Sequence, residues 1–158
     1  MAKKRKPLFG VLEDEEIRLN EAGGTVAEEW QRSAALRPEI SLDEFVVMPN
    51  HFHAILFIND SGELKPIEFG ARRERGALGA HGRAPLHRNP RTLGSLVAAF
   101  KAATTRRIRD IVGIPDLLVW QRNYYDRIIR NQSELEKVRE YILYNPLLLS
   151  QKLGDLWT

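Results

Sequence analysis

His51 and His53 stand two residues apart at the head of an apolar run rich in β-branched and aromatic residues, His51-Phe52-His53-Ala54-Ile55-Leu56-Phe57-Ile58. In a strand, alternate side chains share a face, so the two imidazoles project together while Phe52 packs behind them. Two imidazoles held in this way are half of a metal site. Pro49-Asn50, immediately upstream, marks the turn that delivers them. The chain has no cysteine, so any metal must take imidazole, carboxylate, amide or water ligands.

A second group of reactive residues lies near the C-terminus. Tyr141 and Asn145 are four residues apart and share one face of an expected helix. Asn145 precedes Pro146, at the expected end of that helix, where its amide oxygen is free to meet a ligand. His51, His53 and an Asn145 oxygen make a three-ligand divalent site with open positions, able to polarise a phosphate as a Lewis acid. Tyr141 is then placed to attack phosphorus, its phenol (pKa about 10) activated by the metal field or a base. Each part also has a plainer reading: a hydrogen-bonded histidine pair, a tyrosine packed at a core boundary, an asparagine serving turn chemistry. Only their co-occurrence points to chemistry.

The elements that position these groups follow from periodicity and punctuation. Residues 8–12 and 17–19 read as short strands around an acidic turn. A helix is expected from Asn20, with Val26, Trp30 and Ala34 at helical spacing, Pro38 ending it and Gly23-Gly24 weakening its start. Residues 42–48 and 51–58 read as antiparallel neighbours, the second apolar on both faces and therefore a central strand covered by helices. Thr92 opens an amphipathic helix through Leu93, Leu96, Val97, Phe100, Ala103, Ile108 and Ile111, terminated by Gly113. Residues 117–125 read as a further strand around Trp120. Ser133-Glu134-Leu135-Glu136 is a capping-box signature for the last helix, which Pro146 stops. One domain over 1–146 and a tail over 147–158 are expected.

The chain's 158 residues suffice for one domain with a real core, and 43% apolar with 28% charged residues is ordinary for a soluble protein. No run is long enough to cross a bilayer and the basic start lacks a signal core, which, with the absence of cysteine, fits the cytoplasm. The net charge is only +3, yet the middle of the chain concentrates Arg72, Arg73, Arg75, Arg83, Arg88, Arg91, Lys101, Arg106, Arg107 and Arg109. Such asymmetry suits a polyanion such as nucleic acid, or equally a solvated loop and helix face. Residues 59–91, without periodicity, read as a long mobile basic loop in which His81 and His87 are solvated rather than ligands.

Three blocks in order, Met48-Pro49-Asn50-His51-Phe52-His53, Trp120-Gln121-Arg122-Asn123-Tyr124-Tyr125-Asp126 and Arg139-Glu140-Tyr141-Ile142-Leu143-Tyr144-Asn145-Pro146, resemble the one-tyrosine HUH transposases. Within them the resemblance is to the branch of REP-associated tyrosine transposases and transposase-like proteins, and it runs from about Leu8 to Pro146. It implies an α+β fold, an antiparallel sheet with flanking helices of the ferredoxin-like or RRM-like kind. It further implies a Mg²⁺ or Mn²⁺ site and cleavage of single-stranded or hairpin DNA by a monomer or homodimer.

Carried over by motif, His51 and His53 are metal ligands, Tyr141 is the nucleophile that becomes joined to a 5′ phosphate, and Asn145 stands where related transposases often have glutamine. Lys101, Arg106, Arg109 and the loop arginines Arg72 and Arg73 become expected phosphate contacts, and Trp120, Tyr124 and Tyr125 are candidates for stacking surfaces or, since they alternate in an expected strand, equally for core burial. Members of that family usually begin with an extra apolar strand, whereas charged residues precede Leu8 here. The expectation is a sheet lacking its first strand, with an unpaired edge beside the histidines. Two other readings stay open: a truncated or domesticated DNA-binding module that does not cut, and a metal-dependent hydrolase acting on another substrate.

Overall fold

The computed structural model describes residues 7–13, 16–59 and 92–154, with side chains through Leu148. The fold is α+β, with antiparallel strands flanked by helices. Strands β1 (Gly10–Glu13) and β2 (Glu16–Leu19) form one hairpin, helix α1 (Glu21–Ala35) follows, and β3 (Ile40–Met48) with β4 (His51–Ile58) forms a second hairpin. Helices α2 (Leu93–Val112) and α3 (Gln132–Gly154) complete the described chain. No described helix is long and apolar enough to cross a membrane. Residues 1–6 and 60–91 lie outside the described residues, and so do the expectations placed on them.

The β3–β4 hairpin is the middle layer. Phe52 on one face of β4 meets Trp30 of α1 and Phe100 of α2, with ring centroids 5.2 and 5.4 Å away. Around them Phe9, Val26, Ile40, Val47, Leu96 and Ile108 close the larger core. On the other face Ile55 packs with Leu135 and Ile142 of α3, supported by Val46, Val138 and Ile129. Both faces of β4 are therefore covered, as its apolar pattern requires. Among the described residues β4 pairs only with β3. The β1–β2 hairpin forms its own sheet and reaches the histidine turn through one acceptor: the Pro49 carbonyl takes the amides of Leu8 and Phe9 at 2.8 and 2.9 Å.

Strand β3 carries a bulge. Leu42 pairs with Leu56 and Phe45 with Ala54, so Asp43 and Glu44 stand opposite Ile55 alone. The extra residue lets both Leu42 and Phe45 face the larger core, although they are three apart, and turns Asp43 toward α3.

The helix ends follow local chemistry. Asn20 caps α1, its side-chain oxygen accepting from the Gly23 amide at 3.0 Å. Gly23 is there for space: a Cβ would sit 2.0 Å from the Phe9 carbonyl oxygen. Thr92 and Ser95 form a capping box on α2, and Gly113 ends that helix at φ 71°. At α3 the capping oxygen is that of Asn131, accepting from the Glu134 amide at 2.9 Å, not that of Ser133.

Two expectations are corrected. Residues 117–125 form no strand, because α2 side chains occupy their carbonyls. Arg109 Nε donates to Leu117 at 3.1 Å, and Lys101 Nζ donates to Gln121 and Asn123 at 3.0 and 3.1 Å. Helix α3 does not stop at Pro146 but runs through it to Gly154. The missing proline amide costs the helix one bond. Against that cost, Leu143, Pro146 and Leu147 line a shallow apolar depression with Ile17, Leu19 and Phe45, which favours continuing the helix over that surface.

Candidate active site

The turn Pro49-Asn50 and the first three residues of β4 build one side of the site. His51 and His53 project together on the α3 face, their ring centroids 4.8 Å apart and the planes at 89°. The alternation expected from sequence is what the structure has, with Phe52 on the opposite face.

The two rings are held differently. His51 Nδ1 lies 2.6 Å from the Asn50 side-chain oxygen. An amide oxygen only accepts, so this contact favours the tautomer with the proton on Nδ1, in which Nε2 is the ring nitrogen that can ligate. His53 Nε2 is buried without a hydrogen-bond partner. Burial lowers the His53 pKa and favours the neutral ring, the form that ligates a metal. Trp30 Nε1 shares the lack of a partner, but it is a donor among the rings of Phe52 and Phe100. In neutral His53, Nε2 can instead be a lone pair awaiting a cation.

Helix α3 supplies the other side. Its Ile142 and Leu135 seat on Ile55, two residues beyond His53, and this brings the Tyr141 ring against the His53 ring at 5.5 Å and 81°. Tyr141 keeps 50% of its surface, so its hydroxyl-bearing ring is approachable by a large substrate. Asn145 is 7% exposed. It lies one turn along the same helix, inside it rather than at its end. The structure thus brings His51, His53 and Tyr141 together and buries Asn145 in the same helix. Among the described residues no third His, Asp or Glu joins the pair.

The expected DNA contacts fall elsewhere. Lys101, Arg106 and Arg109 line an open groove of about 780 Å³ with Thr105, Leu118 and Trp120. Helix α2 packs on the Phe52 face of the sheet, so this groove and the histidines lie on opposite faces. Lys101 and Arg109 also hold the 117–123 segment, as described above. Arg107, basic by sequence, pairs with Glu28 and Glu29 of α1 at 2.7 and 2.8 Å, and those hydrogen bonds raise its pKa. Trp120 donates to Thr104 Oγ1 at 2.8 Å and is partly buried against the core while also lining the groove. Tyr124 carries Lys101 Nζ 5.8 Å from its ring centre, and Tyr125 is fully exposed. Arg72 and Arg73 lie outside the described residues.

Two contributors escaped the sequence reading. Turn chemistry accounts for Asn50 in the sequence, and its place beside His51 is the signal of its second role. Asp43 meets Arg139 of α3 with two hydrogen bonds, at 2.8 and 3.0 Å. The apolar spacing Leu42, Phe45, Val47, which breaks strict alternation, was the only mark of the bulge that presents it.

No family model matches the chain. No solved structure matches it either. It is 35% identical over 152 residues to an uncharacterized protein of Haemophilus influenzae, a match spanning 94% of this chain and 78% of the relative. The chain belongs to the same family as that Haemophilus influenzae protein.

Proposed function

We propose that the protein is a metal-dependent DNA strand transferase of the one-tyrosine HUH type, working in the cytoplasm on single-stranded or hairpin DNA. The observation that carries this reading is the Tyr141 ring resting against His53, whose partner His51 shares the same face. A tyrosine beside two imidazoles is a combination suited to phosphoryl transfer and to few other reactions.

The donors present fit a divalent ion. His53 Nε2 is buried and unpartnered, and His51 shares its face with a ring nitrogen held by Asn50. His51 and His53 would hold Mg²⁺ or Mn²⁺, with the Asn145 amide oxygen as third ligand. Bound there, the ion would supply charge neutralisation on a phosphate. The chain's own chemistry is the attack. Tyr141 Oη forms a bond to phosphorus, its proton passing to a base or solvent. The bond from phosphorus to the 3′ oxygen breaks, and that oxygen leaves as a 3′ hydroxyl. The 5′ phosphate stays on the tyrosine, and the reverse attack by a 3′ hydroxyl rejoins strands without a nucleotide cofactor.

The groove on α2 bears on how DNA would be held. It lies on the far face of the sheet, so a strand or hairpin bound there by Arg106 would be gripped away from the phosphate being cut. A labelled single-stranded oligonucleotide pool incubated with Mn²⁺ tests the proposal. The expected result is a protein–DNA adduct stable to denaturation, lost in Tyr141→Phe and His51→Ala and kept in Tyr144→Phe. Binding without an adduct would instead favour a DNA-binding module. Turnover of a phosphoester that survives Tyr141→Phe would favour a metal-dependent hydrolase.

A further inference from the structure

Helix α3 is seated on the sheet mainly by Leu135, Val138 and Ile142 against Val46 and Ile55. Apolar contacts of this kind have no direction, so by themselves they set the roll of the helix less tightly than a directional contact does. Rolling is the motion that would move Tyr141, because Tyr141 stands at the flank of the buried stripe and half in solvent.

The opposite flank carries Arg139, two residues earlier and so about 200° away around the helix. Arg139 Nε and one terminal nitrogen meet the two carboxylate oxygens of Asp43 at 2.8 and 3.0 Å, a two-pronged contact with fixed geometry. Asp43 is held in place by the bulge in β3, and its side chain is only 14% exposed, so the anchor belongs to the rigid sheet. One flank of the helix is thereby fixed to β3 while the other lies on His53 of β4.

We infer that the Asp43–Arg139 pair is a positioning device that sets the roll of α3 and so holds Tyr141 against His53 of its own chain. The inference rests on the reading of Tyr141 as nucleophile for its catalytic consequence, and on geometry alone for the ring contact. Asp43 and Arg139 touch no substrate. They act through the helix, and a positional error on the order of 1 Å at a nucleophile is worth about a hundredfold in rate.

The test uses the full chain and two readouts. In the first, the ring-current shift that Tyr141 imposes on the His53 ring protons is measured by NMR, with Tyr141→Leu as the zero. In the second, the rate of adduct formation with a single-stranded oligonucleotide and Mn²⁺ is measured beside the affinity for the same DNA. Arg139→Met keeps the aliphatic stem and removes both prongs. Arg139→Lys keeps the charge with a single prong, and serves if the first variant fails to fold by circular dichroism. The expected result is loss of most of the ring-current shift and roughly a hundredfold slower adduct formation at unchanged DNA affinity, partly restored in the exchange Asp43→Arg with Arg139→Asp. A full ring-current shift in folded Arg139→Met or Arg139→Lys overturns the inference. A lost shift in a protein whose wild type forms no adduct upholds the positioning and overturns the transferase reading instead.

Discussion

The Asn50 side-chain oxygen lies 2.6 Å from His51 Nδ1, within the turn whose Pro49 carbonyl is tied to the amides of Leu8 and Phe9. That bond orients the ring and selects its tautomer, and outer partners of this kind are typically worth about 10- to 100-fold in metal affinity. Asn50→Ala is expected to weaken Mn²⁺ binding by that factor in calorimetric titration, without unfolding the protein. Asn50→Asp keeps an acceptor at the same place and should bind at least as tightly as wild type. Equal weakening in both variants would mean that Asn50 donates to the ring and that His51 ligates through Nδ1 or not at all.

His53 sets stability against function. Its buried Nε2 has no partner, and a buried polar atom left unmade costs about 1–3 kcal/mol. Replacing His53 with leucine removes that atom from a face already lined by Ile55 and Val46. The metal-free protein should then gain on the order of 1 kcal/mol in urea unfolding while losing Mn²⁺ binding. Mn²⁺ should raise the melting temperature of wild type and leave His53→Leu unchanged. A destabilised His53→Leu would show that the imidazole is satisfied in the folded protein and is not waiting for a ligand.

The adjacent glycines of α1 should respond in opposite directions. At Gly23 a Cβ would meet the Phe9 carbonyl oxygen at 2.0 Å, so Gly23→Ala must push β1 away from the helix. The expected loss is about 1–3 kcal/mol in denaturant unfolding, as for other overpacked sites. At Gly24 a Cβ meets nothing within 4 Å, and Gly24→Ala should stabilise by about 0.5–1 kcal/mol through helix propensity alone. Since Phe9 also donates its amide to the Pro49 carbonyl, Gly23→Ala should weaken Mn²⁺ binding as well, and Gly24→Ala should not.

These contrasts mark what the sequence could and could not convey. The histidine face, the capping box at Thr92 and the αL end at Gly113 were legible because each depends on neighbours within a few residues. The reason for Gly23 was not, since it lies in Phe9, reached only when β1 crosses the helix. Residues 117–125 have the composition of a strand, but a strand needs a partner edge, and distant lysine and arginine side chains take its carbonyls first. Asn145-Pro146 reads as a helix end by local rules. The helix continues because its far side meets β2 and β3, a contact no local rule contains.

The same distinction separates the basic residues of α2. Lys101 is committed to the Gln121 and Asn123 carbonyls and lies over Tyr124, whereas Arg106 is exposed on the rim of the groove with no ion pair among the described residues. Lys101→Met should therefore release the 121–123 segment and lower stability by about 1–3 kcal/mol, from the loss of charge-assisted hydrogen bonds. Arg106→Ala should leave the unfolding midpoint unchanged and weaken binding of a single-stranded oligonucleotide. If Arg106 contacts a phosphate, the plot of log affinity against log salt should also become shallower by about 0.7. An unchanged salt slope in Arg106→Ala would remove the groove from the DNA path and leave the histidine face as the place where a strand is held.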